Sequence, residues 1–309
     1  MSKILDIKPY NKFWMNCVFN NIFSLLSKEE QSYLDLPFMN IYDYCFYDVE
    51  ENCSGIDINR IRMQHILEKI VFVEYIDERK NYLKVIKANI DNERPIGALV
   101  DLYYWLPNTI IYQKKHWFHY TLIIGYDDKG YLYVLDEDND GYRLQKLSEK
   151  KLVKAFLNER DEIPLAYYVF KENVPQYKIE FKEIKKNAEI ILKQLFEIIH
   201  KEKIWGIDGR EEEQAIKMMI ASASRLYNTQ IGNRYLVNYI NKQKCFSSSK
   251  LNLLISYCND TETKWRNIHN MFYKHDLKRT IPDFDLADCI SKECVSKEIL
   301  FWRELLNLI

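Results

Sequence analysis

The stretch HYTLIIGYDDKGYLYVLD, residues 119–136, decides the fold of the first half of the chain. Two runs rich in β-branched, aromatic and aliphatic residues flank the segment DDKG, which is composed of turn formers. The pattern predicts a β-hairpin whose arms are residues 117–126 and 131–135, joined by a turn at 127–130.

The register of this hairpin places two ionisable side chains together. Alternate residues of a strand share a face, so His119 lies on the same side as Thr121. If residues 127–130 form a four-residue turn, Tyr126 faces Tyr131, and Asp136 then lies opposite Thr121. Asp136 is therefore diagonal to His119 on one face, within side-chain reach. A slip of one residue would place the two on opposite faces.

Upstream of the hairpin, apolar residues recur at helical spacing over residues 13–26, with Cys17 at the start of that helix. Exposed N–H groups and the macrodipole at a helix N-terminus favour a thiolate. Thiol catalysis needs a thiol, a base and a group that orients the base. Cys17, His119 and Asp136 are candidates for these roles. The alternative for Cys17 is a small buried hydrophobe.

His116 has the opposite strand parity to His119 and lies beside Lys114 and Lys115. We interpret it as a solvated residue outside the site.

The chain has two halves of different texture. Residues 1–173 mix helix and strand, with further strands at 70–76 and 165–170 and an irregular stretch at 31–57. From residue 174 onward, six segments between 181 and 306 carry helical periodicity. We expect a catalytic domain at 1–173 and an all-helical domain at 174–309 that packs on it and covers the cleft.

Composition narrows the functional classes. The chain carries 44 Lys and Arg against 45 Asp and Glu, a balance unlike that of nucleic-acid binders. No signal peptide or membrane-spanning segment is expected. Seven cysteines without C-x-x-C pairs favour a reduced, cytoplasmic protein without a zinc site.

The Asn16-Cys17 helix start, the segment LVDLYYWLP at 99–107 and the hairpin, in this order along the chain, resemble papain-like bacteriocin-processing (C39-type) peptidases. They are still more similar to the N-terminal domain of the butirosin acyltransferase, the BtrH-like family. The resemblance covers roughly residues 10–170. It implies an α/β (α+β) papain-like cysteine-protease fold, with Cys17 as nucleophile, His119 as base and Asp136 as orienter.

Two positions depart from the family pattern. Papain-like enzymes usually place an oxyanion-hole Gln six residues before the Cys, and Asn11 stands there. Asn donates the same N–H bond from a shorter arm; the alternative is a surface loop residue. Val18 follows the cysteine, so the peptidases' Asp-Cys-Gly signature is absent, which weakens the peptidase interpretation.

The resemblance favours acyl transfer over peptide cleavage. It implies that an acyl group moves from a carrier-protein phosphopantetheine thioester, through Cys17, to a small amine, without a metal or redox cofactor. Asp101, Tyr103, Tyr104 and Trp105 are candidates to bind the cationic amine by charge and cation–π contact. Their alternative is a set of buried rings, with Asp101 satisfied by backbone N–H groups.

Other interpretations stay open. A cysteine peptidase or amidase ranks second and a non-catalytic binding module third. Asp136, Asp138, Asp140 and Gly141 match the first half of a calcium loop, but Leu147 stands where the loop needs Glu. Lysines at 185–186, 201 and 203 are interpreted as solvated helix faces, with contact to an acidic carrier protein as the alternative.

Overall fold

The structure is a computed structural model that describes residues 2–29, 31–48, 53–109, 111–156, 164–171, 177–207 and 212–309. Its strands are β1 (Lys3–Ile4), β2 (Asp43–Asp48), β3 (Cys53–Asn59), β4 (Val71–Ile76), β5 (Ile96–Asp101), β6 (Phe118–Tyr126), β7 (Tyr131–Asp138), β8 (Gly141–Ser148), β9 (Leu165–Phe170) and β10 (Gly206–Ile207). Its α-helices are α1 (Cys17–Glu29), α2 (Ile61–Leu67), α3 (Tyr82–Asp91), α4 (Glu149–Ala155), α5 (Phe181–Ile199), α6 (Glu212–Lys244), α7 (Ser248–Lys278) and α8 (Phe284–Leu308), and a 3₁₀-helix spans Gln31–Met39.

The chain forms two compact units. The first comprises residues 1–34 and 66–176, and the second comprises residues 35–65 and 177–309. The fold is mixed α/β, with antiparallel sheets and helices. None of the helices in the described ranges is long and apolar enough to span a bilayer.

The first unit is built on a seven-stranded sheet in the order β4-β9-β5-β6-β7-β8, with β1 also paired to β6. Every pairing in it is antiparallel. Helix α1 packs on β6 and β7, and α3 packs on β1, β5 and β6. Residues 96–101 of β5 and 121–127 of β6 and its turn are buried throughout, so the middle of the sheet is core.

The second unit differs from the expected all-helical domain. Residues 43–48 and 53–59, which lie largely in the stretch 31–57 expected to be irregular, form a β-hairpin whose second strand also pairs with β10. The hairpin belongs to this unit because Arg225 of α6 forms an ion pair with Asp57, at 2.5 Å. Tyr42 also donates a hydrogen bond to Glu298 of α8, at 2.6 Å. The boundary expected after residue 173 therefore omits one segment, residues 35–65.

Two long helices replace four of the expected helical segments. Helices α6 and α7 run without interruption over 33 and 31 residues. Polar residues inside them are satisfied locally: Asn228 and Thr229 bond to carbonyls four residues earlier. Both polar side chains therefore have hydrogen-bond partners within the helix, which continues through this polar stretch.

Candidate active site

Helix α1 begins at Cys17 because Asn16 caps it. The Asn16 side-chain oxygen accepts the Phe19 N–H at 2.7 Å, and its carbonyl accepts the Asn20 N–H at 3.0 Å. Asn is among the strongest N-cap residues. Cys17 is thus the first helical residue, as the sequence predicts.

The loop before α1 is held along the helix by two side chains. Ser24 accepts the N–H of Tyr10 at 2.8 Å, and Asn20 accepts the N–H of Met15 at 3.1 Å. Asn11 lies in this loop, is exposed, and makes no hydrogen bond with the described residues. Its oxyanion-hole role stays a prediction.

His119 and Asp136 are brought together at the end of the hairpin. The His119 Nε2 atom lies 3.1 Å from Oδ1 and 3.3 Å from Oδ2 of Asp136. Both side chains are largely buried. Trp105 donates its indole N–H to Asp136 Oδ2 at 3.0 Å, so the carboxylate is fixed from two sides.

The register that produces this pair arises differently from the prediction. Tyr126 faces Leu132, not Tyr131, so the turn end of the hairpin is shifted by one residue. An irregularity between Ile123 and Gly125 absorbs the shift, and Leu122 faces Leu135, as expected. Such a bulge adds one residue to one strand only. The face shared by His119 and Asp136 is therefore restored.

The Cys17 thiol lies against β6, one residue beyond His119. The β6–β7 pairing ends at Leu122 and Leu135, so the first residues of β6 lie beyond the last pair. The backbone N–H of Tyr120 stabilises the thiolate of Cys17. No hydrogen bond joins the described Cys17 and His119 side chains, so the structure presents a His–Asp pair and an adjoining thiol.

The acidity expected for Cys17 is not found. Burial raises the pKa of the Cys17 thiol above its ordinary value, and the charge of Asp136 raises it further. The N–H groups of Tyr120, Val18 and Cys17 itself lower that pKa, as a helix start should, but burial outweighs them. Cys17 is a neutral thiol at rest.

A buried polar network lies one helical turn below Cys17. Asn21 accepts the Tyr142 hydroxyl at 2.7 Å and donates its amide to the Tyr168 hydroxyl at 3.1 Å. Burial and the charge of Asp136 hold the pKa of Tyr142 well above its usual range. Asn21 therefore ties α1 to strand β8 by accepting from Tyr142 and to strand β9 by donating to Tyr168.

Glu137 follows Asp136 on β7 and is half-buried. Burial, with the charges of Asp136 and Asp138, raises the pKa of Glu137 to about 8. At neutral pH the Glu137 carboxyl is therefore mostly protonated.

The four expected substrate-binding residues have different environments. Trp105 is fully buried against Asp136, so it supports the pair and does not line an accessible surface. Asp101 is buried and accepts the N–H groups of Tyr103 at 3.0 Å and Trp117 at 3.3 Å. Asp101 is therefore satisfied by backbone N–H groups, as the alternative to an amine-binding role predicts. Tyr104 is 39% exposed, and Tyr103 packs against it edge to face.

His116 is not a merely solvated residue. Its Nδ1 lies 2.5 Å from Asp101 Oδ2, and its ring stacks on Tyr103 with centroids 4.5 Å apart. Alternation of strand faces could not predict this contact, because it applies only within a strand and His116 precedes the first residue of β6. The sequence does contain one indication of the contact: Asp101 and His116 lie near the two ends of the segment that connects β5 to β6.

The acidic segment after Asp136 is a hairpin turn between β7 and β8. Asp138 is paired with Arg143 at 2.6 Å and accepts the Asp140 N–H at 2.9 Å. Burial raises the pKa of Asp138, but these donors outweigh it, so the pKa lies below its ordinary value. No cluster of three or more metal-ligating side chains occurs within the described ranges.

A scan against models of known protein families finds no family that matches this chain. A search of curated proteins finds no relative either.

Proposed function

We propose that this protein is a cysteine-dependent acyltransferase that forms an amide bond through a Cys17 acyl-enzyme. The observation that carries the proposal is the Nε2 bond from His119 to Asp136. It leaves Nδ1 as the basic nitrogen of a ring next to the strand position that contacts the Cys17 thiol. A base oriented by a buried carboxylate beside a thiol at a capped helix start is an arrangement suited to acyl transfer.

In the first half-reaction the Cys17 sulfur attacks the carbonyl carbon of an acyl thioester, and His119 takes the thiol proton. The carbon–sulfur bond to the donor then breaks, and the donor thiolate takes that proton from His119. The raised pKa of Cys17 makes this base necessary, because little thiolate exists at neutral pH. We assign the backbone N–H of Cys17, which has no intrahelical partner at the first position of α1, as one donor for the oxyanion and the Asn11 amide as the second.

In the second half-reaction an amine attacks the acyl-enzyme. The tetrahedral intermediate loses the Cys17 thiolate, which recovers a proton from the amine through His119. Tyr104, 39% exposed in the segment before β6, offers a ring face to a cationic amine.

The family resemblance specifies this chemistry further. A papain-like, BtrH-like enzyme would take its acyl group from the phosphopantetheine arm of a carrier protein and pass it to a small amine. A related candidate for this chemistry is the amide-forming enzyme of closthioamide assembly, which joins a carrier-bound acyl chain to a diamine. The seven cysteines of this chain all lie in the described residues and are free thiols, which favours a reduced cytoplasmic setting.

Intact mass spectrometry tests the proposal. Incubation with an acylated carrier protein should add one acyl mass to the wild type. The Cys17→Ala and His119→Ala variants should remain unmodified, whereas Cys245→Ala, which removes an exposed cysteine, should load normally. An adduct that survives Cys17→Ala would assign the nucleophile elsewhere.

A further inference from the structure

The first unit contains a second His–carboxylate pair, made by His116 and Asp101. Nδ1 of His116 lies 2.5 Å from Oδ2 of Asp101. The Asp101 side chain is 4% exposed, whereas that of His116 is 57% exposed. The pair therefore has a buried acceptor and an accessible ring.

The pair is built rigidly. Oδ1 of Asp101 accepts the backbone N–H groups of Tyr103 and Trp117, which fixes the plane of the carboxylate. The His116 ring stacks on Tyr103 with an interplanar angle of 16°, and Tyr104 lies at 6.1 Å between centroids. Three contacts thus orient the imidazole.

This orientation defines which nitrogen is basic. A proton on Nδ1 is donated to Asp101, so Nε2 carries the lone pair. Within the described chain, Nε2 of His116 makes no hydrogen bond, and the ring is exposed. An oriented, accessible imidazole nitrogen is the group that general-base catalysis uses.

The second pair lies at the same end of the sheet as the first, with Asp101 opposite Phe118 on the alternate face of the strands. Asp101 follows Val100, which is the cross-strand neighbour of His119. Trp105, in the segment after Asp101, donates to Asp136. The two pairs therefore lie at the same ends of neighbouring strands β5 and β6.

We propose that His116, oriented by Asp101, is the proton acceptor for the incoming amine; this rests on the proposed function. An amine arrives as an ammonium ion and must lose a proton before it attacks. His116 Nε2 takes that proton, and the neutral amine attacks the Cys17 thioester. The nitrogen loses its second proton to the departing Cys17 sulfur through His119, and His116 returns its proton to water. Water as acceptor needs no such first step.

The test separates the two half-reactions. Cys17 is loaded from a synthetic acyl thioester, the excess is removed, and decay of the acyl-enzyme at neutral pH is followed by mass spectrometry. The nucleophiles are 1,3-diaminopropane, which is a cation, and methoxyamine, which is uncharged. The variants are His116→Gln and Asp101→Asn, with His65→Gln as a control at an exposed histidine.

Loading and methoxyamine decay should be unchanged in His116→Gln, while decay with the diamine slows by about 100-fold. Asp101→Asn should show the same selectivity with a smaller loss, and His65→Gln should match the wild type. Equal rates with both nucleophiles in His116→Gln and wild type would overturn the inference. Equal slowing with both would assign His116 a structural role and overturn it too. A wild type that never loads would overturn the proposed function itself.

Discussion

His119 contacts Asp136 through Nε2, at 3.1 Å from Oδ1, with the Trp105 indole on the same carboxylate. A proton held on Nε2 leaves the Nδ1 lone pair as the base. Because the Cys17 thiol is neutral at rest, this base must act during attack and does not merely stabilise a preformed thiolate.

Asp136→Asn should lower the rate of Cys17 acylation by roughly 100- to 10,000-fold, since a neutral amide no longer favours the required tautomer or the imidazolium. The Asn oxygen still accepts the Trp105 indole, so the melting temperature should change little. Single-turnover loading and thermal unfolding measure the two effects. A variant that loads at the wild-type rate would remove Asp136 from the site.

Trp105→Phe should slow acylation by about 5- to 100-fold. The change removes the indole donor from a buried carboxylate, which costs about 1–3 kcal/mol. Trp117→Phe is the matched control, because Trp117 is 41% exposed and contacts Asp101 only through its backbone N–H. Equal loading rates in both variants would show that the indole does not position Asp136.

The sequence predicts the pairing of His119 with Asp136 but not the bulge that makes this pairing possible. The expected turn register is off by one residue, and the bulge between Ile123 and Gly125 compensates. Hydrophobic alternation does not reveal a bulge, because an added apolar residue in a buried strand looks like any other. The helix start at Cys17 was predictable because Asn16, a local cap, determines it.

Long-range pairing explains what the sequence did not reveal. Residues 43–48 and 53–59 are rich in Asp, Asn and Tyr, a composition typical of loops, yet they form strands because β10 pairs with β3 and Glu298 accepts from Tyr44. Trp105 looked like a candidate for an aromatic binding surface, and only the fold shows its indole on Asp136. In both cases the partners are far apart in the sequence, so local patterns do not reveal them.

Alkylation should reveal the raised pKa of Cys17. At neutral pH iodoacetamide should label the exposed Cys245 and Cys289 before Cys17. This reverses the order that a helix-start thiolate implies. The Cys17 rate should rise about tenfold per pH unit through pH 9, the ordinary thiol value, because the thiolate fraction is still growing there. Peptide mapping gives the rates, and a Cys17 plateau below pH 8 would contradict the raised pKa.

Glu298 should make the stability of the second unit depend on pH. Tyr42 and Tyr44 donate to this fully buried carboxyl at 2.6 and 2.5 Å, yet burial raises the pKa of Glu298 above its ordinary value. The folded state therefore binds this proton more tightly. The contribution of Glu298 to the free energy of unfolding is complete below its unfolded pKa of about 4.3, and it is lost as pH rises through its folded pKa.

Urea unfolding across this range should give a free energy of unfolding that falls with pH in the wild type and in Glu197→Gln, an exposed control. Glu298→Gln should flatten that dependence. An unchanged slope in Glu298→Gln would place the titrating group elsewhere.

Partition of the acyl-enzyme between amine and water tests the central claim most directly. Wild-type protein loaded at Cys17 from a synthetic thioester is followed by mass spectrometry with and without a diamine, and the products are identified. Transfer predicts slow decay in buffer alone, much faster decay with the diamine, and an amide product. Equal decay rates in both samples, with free acid as the only product, would contradict transfer and identify a hydrolase.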